Sequence, residues 1–500
     1  MKKIFYWIVL LFVVISTSCT TDAGRQSKTV ASAKADVELY VTTETQSMLF
    51  QPVMLSFDAD QTKMANTITL NPEVKFQEMD GFGAAITGSS CYNLLKMTPE
   101  NRAKLLKETF DPLTGMGYSY IRISIGCSDF SIDEYTYCDK PGIENFAIHE
   151  FDKRDLFPIL KEILTINPKV RILGSPWTPP KWMKVNNLTE LKPFDSWTSG
   201  QLNPKYYQDY ATYFVKYIQA MKLEGFTIDA ITVQNEPLNR GNSASLFMSW
   251  QEQRDFIKTA LGPAFEKAGI TTKIIAFDHN YDYDINKPEC ADQIDYPVRI
   301  YEDAEAAKYI DGAAYHAYGG EVAEMLDIHN KRPNKNLYFT EMSIGLWGSG
   351  YTFAGDFMWN MREVCLGTIN NYCKAVIMWN FMLDDKHAPF RPGGCDICLG
   401  CIDINSADYA TMTKNSHYYT MAHLSKVIAP GAYRIEATGN QTKDLYYSAF
   451  INPDGTTSIV IQNDSDKMQT VSIVDGSKSF TYTMPAKSVA SGKWNKETNK

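Results

Sequence analysis

Glu236 and Glu341 are the two residues of this chain best placed for acid–base or nucleophilic work. Glu236 stands in Gln234-Asn235-Glu236-Pro237, at the end of an apolar run, and Glu341 ends a second run at Thr340-Glu341. One acid after a strand is ordinary surface chemistry. Two, set among Arg, Asn, Tyr and Trp, suit cleavage of a glycosidic bond. One carboxylic acid protonates the departing oxygen, and the other carboxylate stabilises or captures the oxocarbenium-like centre. Arg122 can hold one carboxylate ionised, and Tyr318 can donate a hydrogen bond to the same group. Asn235 adjoins the candidate acid and can bind a sugar hydroxyl. Trp177, Trp182 and Trp379 can turn apolar faces to sugar C–H groups, although core packing is an equally common fate for a tryptophan. His316 reads either as a site residue or as a satisfied core histidine.

These residues need a scaffold that gathers strand ends. Eight apolar runs read as strands, at 82–87, 120–126, 170–175, 230–235, 273–278, 313–318, 337–341 and 375–381. They are continuous rather than alternating, as strands covered on both faces should be. Helical patterns lie between most of them. In 152–166 the stripe is Leu156, Ile159, Leu160, Ile163 and Leu164; in 204–223 it is 206, 210, 213, 214, 217, 218 and 221. Thr98-Pro99 reads as an N-cap followed by proline at the first helical position. The arithmetic is that of a (β/α)8 TIM barrel over 76–425, with a doubly wound sheet as the alternative. Chemistry in a barrel sits at the C-terminal strand ends. There the second strand offers Arg122 and then Ser128-Asp129, and the third Ser175-Pro176-Trp177. The sixth offers His316 and Tyr318, and the eighth Trp379-Asn380. Three strand–helix units separate the two glutamates, which sets them across the barrel mouth.

From about residue 430 short Tyr-, Thr-, Val- and Ile-rich segments alternate with turns, an antiparallel β pattern. Segments 37–43 and 67–70 share that texture. The expectation is an attached antiparallel β-sandwich built from both chain ends, 37–75 and 426–500.

The 500 residues are 21% charged and 44% hydrophobic, which excludes a disordered or collagen-like chain. A net charge of −9 argues against polyanion binding, so no nucleic acid partner is expected. No close-spaced second histidine ligand, Walker-type loop or dinucleotide glycine fingerprint is present, so no metal, nucleotide or other cofactor is inferred. Lys2-Lys3, the apolar run 4–15 and the small residues 16–18 form an export signal at 1–18, too short for a membrane span of about 20 residues. Cys19 follows at once, as in a bacterial lipoprotein signal, although Ser16 stands where such signals usually have Leu. Lipidation of Cys19, a tether over 19–36 and an outer-membrane, cell-surface or periplasmic location are the expectations; ordinary signal cleavage is the rival. Nine further cysteines remain, an odd number. Cys395-x-x-Cys398-x-x-Cys401 resembles a metal or cluster ligand run, but it lacks a fourth close ligand, and a loop disulfide with one spare thiol is preferred.

The blocks QEMDGFG (77–83), YIRISIGCSDFS (120–131), SPWTPPKWMK (175–184), TVQNEP (232–237), FTEMS (339–343) and MPAKSVAS (484–491) together resemble glycoside hydrolase family 30, which includes glucosylceramidases and β-1,6-glucanases. The resemblance runs over about 37–495. It implies a barrel with a side sandwich and a retaining double displacement, with Glu236 as acid/base and Glu341 as nucleophile. It also implies a first-sugar pocket of Arg122, Asp129, Trp177, Asn235, His316, Tyr318 and Trp379. The carboxyl groups should then lie about 5–5.5 Å apart, with Glu236 titrating above Glu341. The loop His387–Cys395 departs from the glucosylceramidase pattern and looks more like bacterial members acting on β-1,6-glucan. A β-linked glucan or oligosaccharide is the expected substrate. Another β-glucoside, a non-catalytic glycan-binding lipoprotein of this fold, and a redox protein using the 395–401 cysteines are the alternatives.

Overall fold

The computed structural model describes residues 35–59, 66–281, 295–439 and 444–495. The expected export signal, Cys19 and nearly all of the tether lie outside the described residues. None of the described helices is long and apolar enough to cross a membrane.

Eight parallel strands form the central sheet. They are Gly81–Ala84, Tyr120–Ser124, Arg171–Ser175, Ala230–Thr232, Lys273–Asn280, Ile310–His316, Asn336–Glu341 and Cys373–Met378. Each expected run overlaps one of them, with ends shifted by up to three residues. The first strand pairs with the eighth and reaches the second through an Ala85–Arg122 bridge, which closes the barrel. Gly83 sits at that seam; a Cβ there would fall 2.1 Å from the Tyr120 carbonyl oxygen, so the two strands meet only over glycine.

Strand side chains alternate between the barrel interior and the surrounding helices. Tyr120, Leu173, Ala230, Ile275, Ala314, Tyr338 and Ala375 form a buried apolar layer inside the barrel. One inward step further along, the interior residues become Arg122, Ser175, Thr232, Asp278, His316 and Thr340, all buried. In the fifth strand that step takes an extra residue. Its register with the sixth slips between Phe277 and His279, and this bulge delivers Asp278 to the interior. At the opposite end Asp80, just before the first strand, pairs with Arg171 at 2.7 Å, Lys273 at 3.2 Å and Lys374 at 3.5 Å.

The helices follow their sequence stripes. Thr98 caps Pro99–Phe110, its side chain accepting from the Asn101 N–H. Tyr207–Leu223 buries Tyr210, Tyr213, Phe214, Tyr217, Ile218 and Met221, while Tyr206 falls in the preceding tight turn, Pro204–Tyr206. The stretch 152–166 departs from one continuous α-helix: Asp152–Leu156 is a wide π turn and Phe157–Ile166 is α-helical. Pro158 explains the break, because it has no N–H to donate to the preceding turn. Pro263 follows a second such turn at Ile257–Leu261.

Both chain ends meet in a nine-stranded sheet. Val37–Thr43 pairs with Ser488–Asn495, and Asn66–Glu78 lies between Tyr433–Gly439 and Gln469–Asp475. The sheet coils over on itself, so that Leu39, Ile461 and Ala490 share a core with Val471, Ile473 and Phe480. Its pairings are antiparallel except that of Asn66–Glu78 with Gln469–Asp475. Asn66–Glu78 must run toward the barrel strand it feeds, which leaves its second flank open to a strand of the same direction. His423, in the helix Ser416–Ser425, stitches the layers together through Ser491 Oγ and Thr42 Oγ1, each at 2.8 Å.

The Asp80 side chain is 4% exposed and faces three cations. Asp80→Asn should lower the unfolding free energy by about 3 kcal/mol, read by urea titration, because the cations lose their common partner. An unchanged denaturation midpoint would show that they turn to water instead.

Candidate active site

The polar layer of the barrel is a closed hydrogen-bond network. Buried Arg122 donates from Nε to Ser175 Oγ at 3.0 Å, and from Nη2 to Asn235 Oδ1 and Asp278 Oδ2, each at 2.8 Å. Its Nη1 pairs with Glu341 Oε2. Asp278 also accepts from Thr232 Oγ1 at 2.7 Å and Thr340 Oγ1 at 2.6 Å, and meets His316 Nε2 at 3.0 Å. Four other strands thus converge on one aspartate that neither the composition nor the motif blocks singled out. Its only signal in the sequence was its place at the end of the predicted fifth strand.

The two glutamates stand above this layer. Glu341 is the last residue of the seventh strand, and its Oε1 accepts from Tyr318 Oη at 3.1 Å. Glu236 follows the fourth strand, which stops at Thr232, so it sits in a turn rather than on the strand. Its backbone takes a left-handed φ of 43°, held by its N–H donating to the Asp278 carbonyl at 2.9 Å. The carboxylate accepts from Asn239 Nδ2 at 2.7 Å and faces His316 Nδ1 at 3.3 Å. One oxygen of Glu236, one of Glu341 and one ring nitrogen of His316 lie within 4.8 Å of each other. Such a trio can in general share an ion, but here its atoms are already engaged with Arg122, Tyr318, Asn239 and Asp278, which makes it a proton network.

Burial disfavours every charge in this layer, and the partners decide which charges survive. His316 is pushed down by burial, but Glu341, Asp278 and Glu236 outweigh this and raise it to about 9. Burial pushes Glu236 up, yet the His316 hydrogen bond and the neighbouring imidazoles bring it down to about 2. Glu341 is raised, by burial and by the Glu236 charge, against the pull of His316 and Arg122. The order expected from sequence, Glu236 above Glu341, is therefore reversed in the ligand-free protein. The reason is His316, which carries the proton one hydrogen bond away from Glu236. Asp278 lies below the carboxylate range, since Arg122 and His316 outweigh its burial.

Both glutamates open into a cavity of about 450 Å³, lined also by Asp129, Asn239, Asn280, Tyr318 and Trp379. Asp129 is raised well above the carboxylate range by burial and by both glutamates, and its Oδ1 has no hydrogen-bond partner among the described residues. Trp177 lies beneath the cavity: it is 1% exposed, stacked on Trp379 at 5.2 Å, with the Arg122 guanidinium 5.0 Å from its ring centroid. Trp182 is further off, packed edge-on against Tyr206 and donating to the Cys138 carbonyl. Cys395 and Cys398 form a disulfide that lines the cavity, and Cys401 is a buried free thiol. Asn239, Asn280 and Trp347, which also line it, carried no signal in the sequence: Asn239 and Trp347 lie on loops, and Asn280 ends the fifth strand two residues beyond its predicted limit.

Comparison with known proteins agrees with this geometry. Residues 79–428 match the glycosyl hydrolase family 30 TIM-barrel domain, and residues 431–492 match the glycosyl hydrolase family 30 beta-sandwich domain. An endo-1,6-β-D-glucanase of Trichoderma harzianum is 33% identical over 77% of this chain and 78% of its own. The lysosomal acid glucosylceramidase of Mus musculus is 28% identical over 88% of this chain and 86% of its own. A solved endo-β1,6-glucanase superposes with a TM-score of 0.89 at 56% identity, covering 92% of this chain and 100% of that one. With barrel and sandwich both matched in order along one chain, the protein belongs to glycosyl hydrolase family 30.

Proposed function

We propose that this protein is a retaining endo-acting glycoside hydrolase of β-1,6-linked glucan, with Glu341 as nucleophile and Glu236 as acid/base. The observation that carries the reading is the approach of the two carboxylates, an oxygen of each within 4.8 Å of the other in one cavity. Retaining hydrolysis needs about 5–5.5 Å between carboxyl groups, whereas inversion needs room for a water between them. The linkage follows the named activity of the relatives, one of them 56% identical.

Glu341 attacks the anomeric carbon as the glycosidic C–O bond breaks, and the leaving oxygen takes a proton from Glu236. A glycosyl ester on Glu341 results. Glu236 then takes a proton from water as that water attacks the same carbon, which releases Glu341 and restores the configuration. Arg122 and Tyr318 hold the nucleophile's two oxygens in place. His316 supplies Glu236 with its proton when substrate displaces water and the ion pair collapses to neutral groups. Asp129 lines the same cavity, where its carboxyl group can meet a sugar hydroxyl.

Incubation with a panel of β-linked glucans should yield a ladder of oligosaccharides from β-1,6-glucan alone. Glu341→Gln should abolish turnover with the fold intact by circular dichroism, and Glu236→Gln should lower kcat by about 10²- to 10⁴-fold. Near wild-type activity in Glu341→Gln would end the assignment.

The folded-state value of His316 is raised, so its proton is present at low pH and lost as pH rises through about 9. The alkaline limb of kcat/KM, which reports the free enzyme, should fall there and move in His316→Gln. A wild-type limb at or below the ordinary histidine value of about 6.5 would show that His316 is not the proton source.

The same reading includes export and lipidation of Cys19, with the enzyme tethered at the outer membrane, cell surface or periplasmic face; Lys2-Lys3, the apolar run and the small residues before Cys19 support it. Cells expressing the full chain should incorporate labelled fatty acid into it, and Cys19→Ala should lose the label.

A further inference from the structure

We propose that Trp347 is the platform for the sugar ring on the leaving-group side of the cleft, and that the Cys395–Cys398 disulfide positions it. The proposal rests on the glycosidase reading above. Trp347 lines the same cavity as Glu236 and Glu341, yet it is 40% exposed, whereas Asp129, Glu341 and Trp379 are 7%, 6% and 3% exposed. Tyr318, the other exposed lining residue at 42%, is held by Glu341. The cavity therefore has an enclosed polar end, which suits the ring under attack, and opens to solvent where Tyr318 and Trp347 stand, Trp347 being the one whose ring is free of the nucleophile. A glycan whose attacked ring fills the enclosed end carries its departing portion outward toward solvent, where that indole is available to it. Pyranose rings present flat C–H faces to aromatic rings, so a large, two-torsion side chain at this point binds at low entropic cost.

The local backbone is organised to hold the indole rather than to bury it. Ile344–Gly345 pairs antiparallel with Cys398–Leu399, and the Leu346 N–H donates to the Ile397 carbonyl at 2.9 Å. A Cβ on Gly345 would lie 2.1 Å from Trp347 Cζ3 and 2.5 Å from Cε3, so the indole's six-membered ring rests directly against the glycine. Any side chain there would push the ring off its seat. The Cys395–Cys398 bond closes the opposite strand of this pair into a short loop that itself lines the cavity. Glu341 lies three residues before this strand pair, so nucleophile and platform share one rigid segment.

The test compares two substrates with the same donor sugars: β-1,6-linked gluco-oligosaccharides, and the β-glycosyl fluoride of the donor portion, whose leaving group has no ring. Trp347→Ala should lower kcat/KM on the oligosaccharides by about 10- to 100-fold and on the fluoride by no more than about threefold, and Trp347→Phe should recover most of the loss. The double variant Cys395→Ser with Cys398→Ser should show the same split through a raised KM. Equal losses on both substrates would put Trp347 in the donor pocket or in folding, and no loss on either would leave it without a role; both results overturn the platform. An unchanged double variant overturns the positioning role of the disulfide. Should Glu341→Gln still hydrolyse the fluoride, the glycosidase reading itself has failed, which separates the two outcomes.

Discussion

A buried guanidinium makes the rest of this site possible. Arg122 is fully enclosed by the barrel, where an unpaired cation would cost several kcal/mol in lost hydration. It is matched instead by Asp278 and Glu341 and by the oxygens of Ser175 and Asn235. In return its charge pulls the Asp278 and Glu341 carboxyls down against the upward push of burial, and Asp278 ends below the ordinary range. With His316 protonated, two buried cations face Asp278, Glu236 and Glu341, while burial and both glutamates push Asp129 well above its ordinary value. Burial pushes every acid at the cavity wall upward, and the pull of Arg122 and His316 differs from one to the next.

The barrel supplies this arrangement in tiers. An apolar layer seals the interior, one inward step further lies the charged and hydroxyl layer, and the two glutamates come above it. Hydrogen bonds within the middle tier are between strands distant in sequence, as in Arg122 to Asp278 and Thr340 to Asp278. Such a network is tightly specified, because a register slip of one residue in any strand would put a charge among the surrounding helices. The fifth-strand bulge is the exception that completes it, since regular alternation would have aimed Phe277 inward and Asp278 out.

Strain and loop anchoring finish the site. Glu236, Asp278 and Asn380 all adopt left-handed φ values without being glycine, Asp278 in the fifth-strand bulge and the other two just past the fourth and eighth strands. Residues held this way persist where surrounding bonds over-determine them. For Glu236 those bonds are its own N–H to Asp278 and the Asn239 amide to its carboxylate. Around the rim, the Arg391 N–H bonds the Asp129 carbonyl at 2.7 Å and its guanidinium pairs with Asp133 and Glu134. The loop that distinguishes this chain from the glucosylceramidase pattern is therefore tied to the pocket it borders.

Much of this was legible in the residues. Eight apolar runs, Thr98-Pro99 and the stripe of Tyr207–Leu223 follow from backbone sterics and periodicity, which act over a few residues and leave a local record. Glu236, Glu341, Arg122 and Tyr318 were readable because their types at strand ends are chemically uncommon. Asp278 was not, nor was Trp347, because a bulge and a loop seat are decided by contacts between segments far apart in the chain. The titration order was hidden for the same reason. Sequence determined that two carboxylic acids and a histidine would be present at a barrel mouth; only the tertiary structure decided that the histidine lies between Asp278 and Glu236, and in a buried site the nearest opposite charge settles where the proton rests.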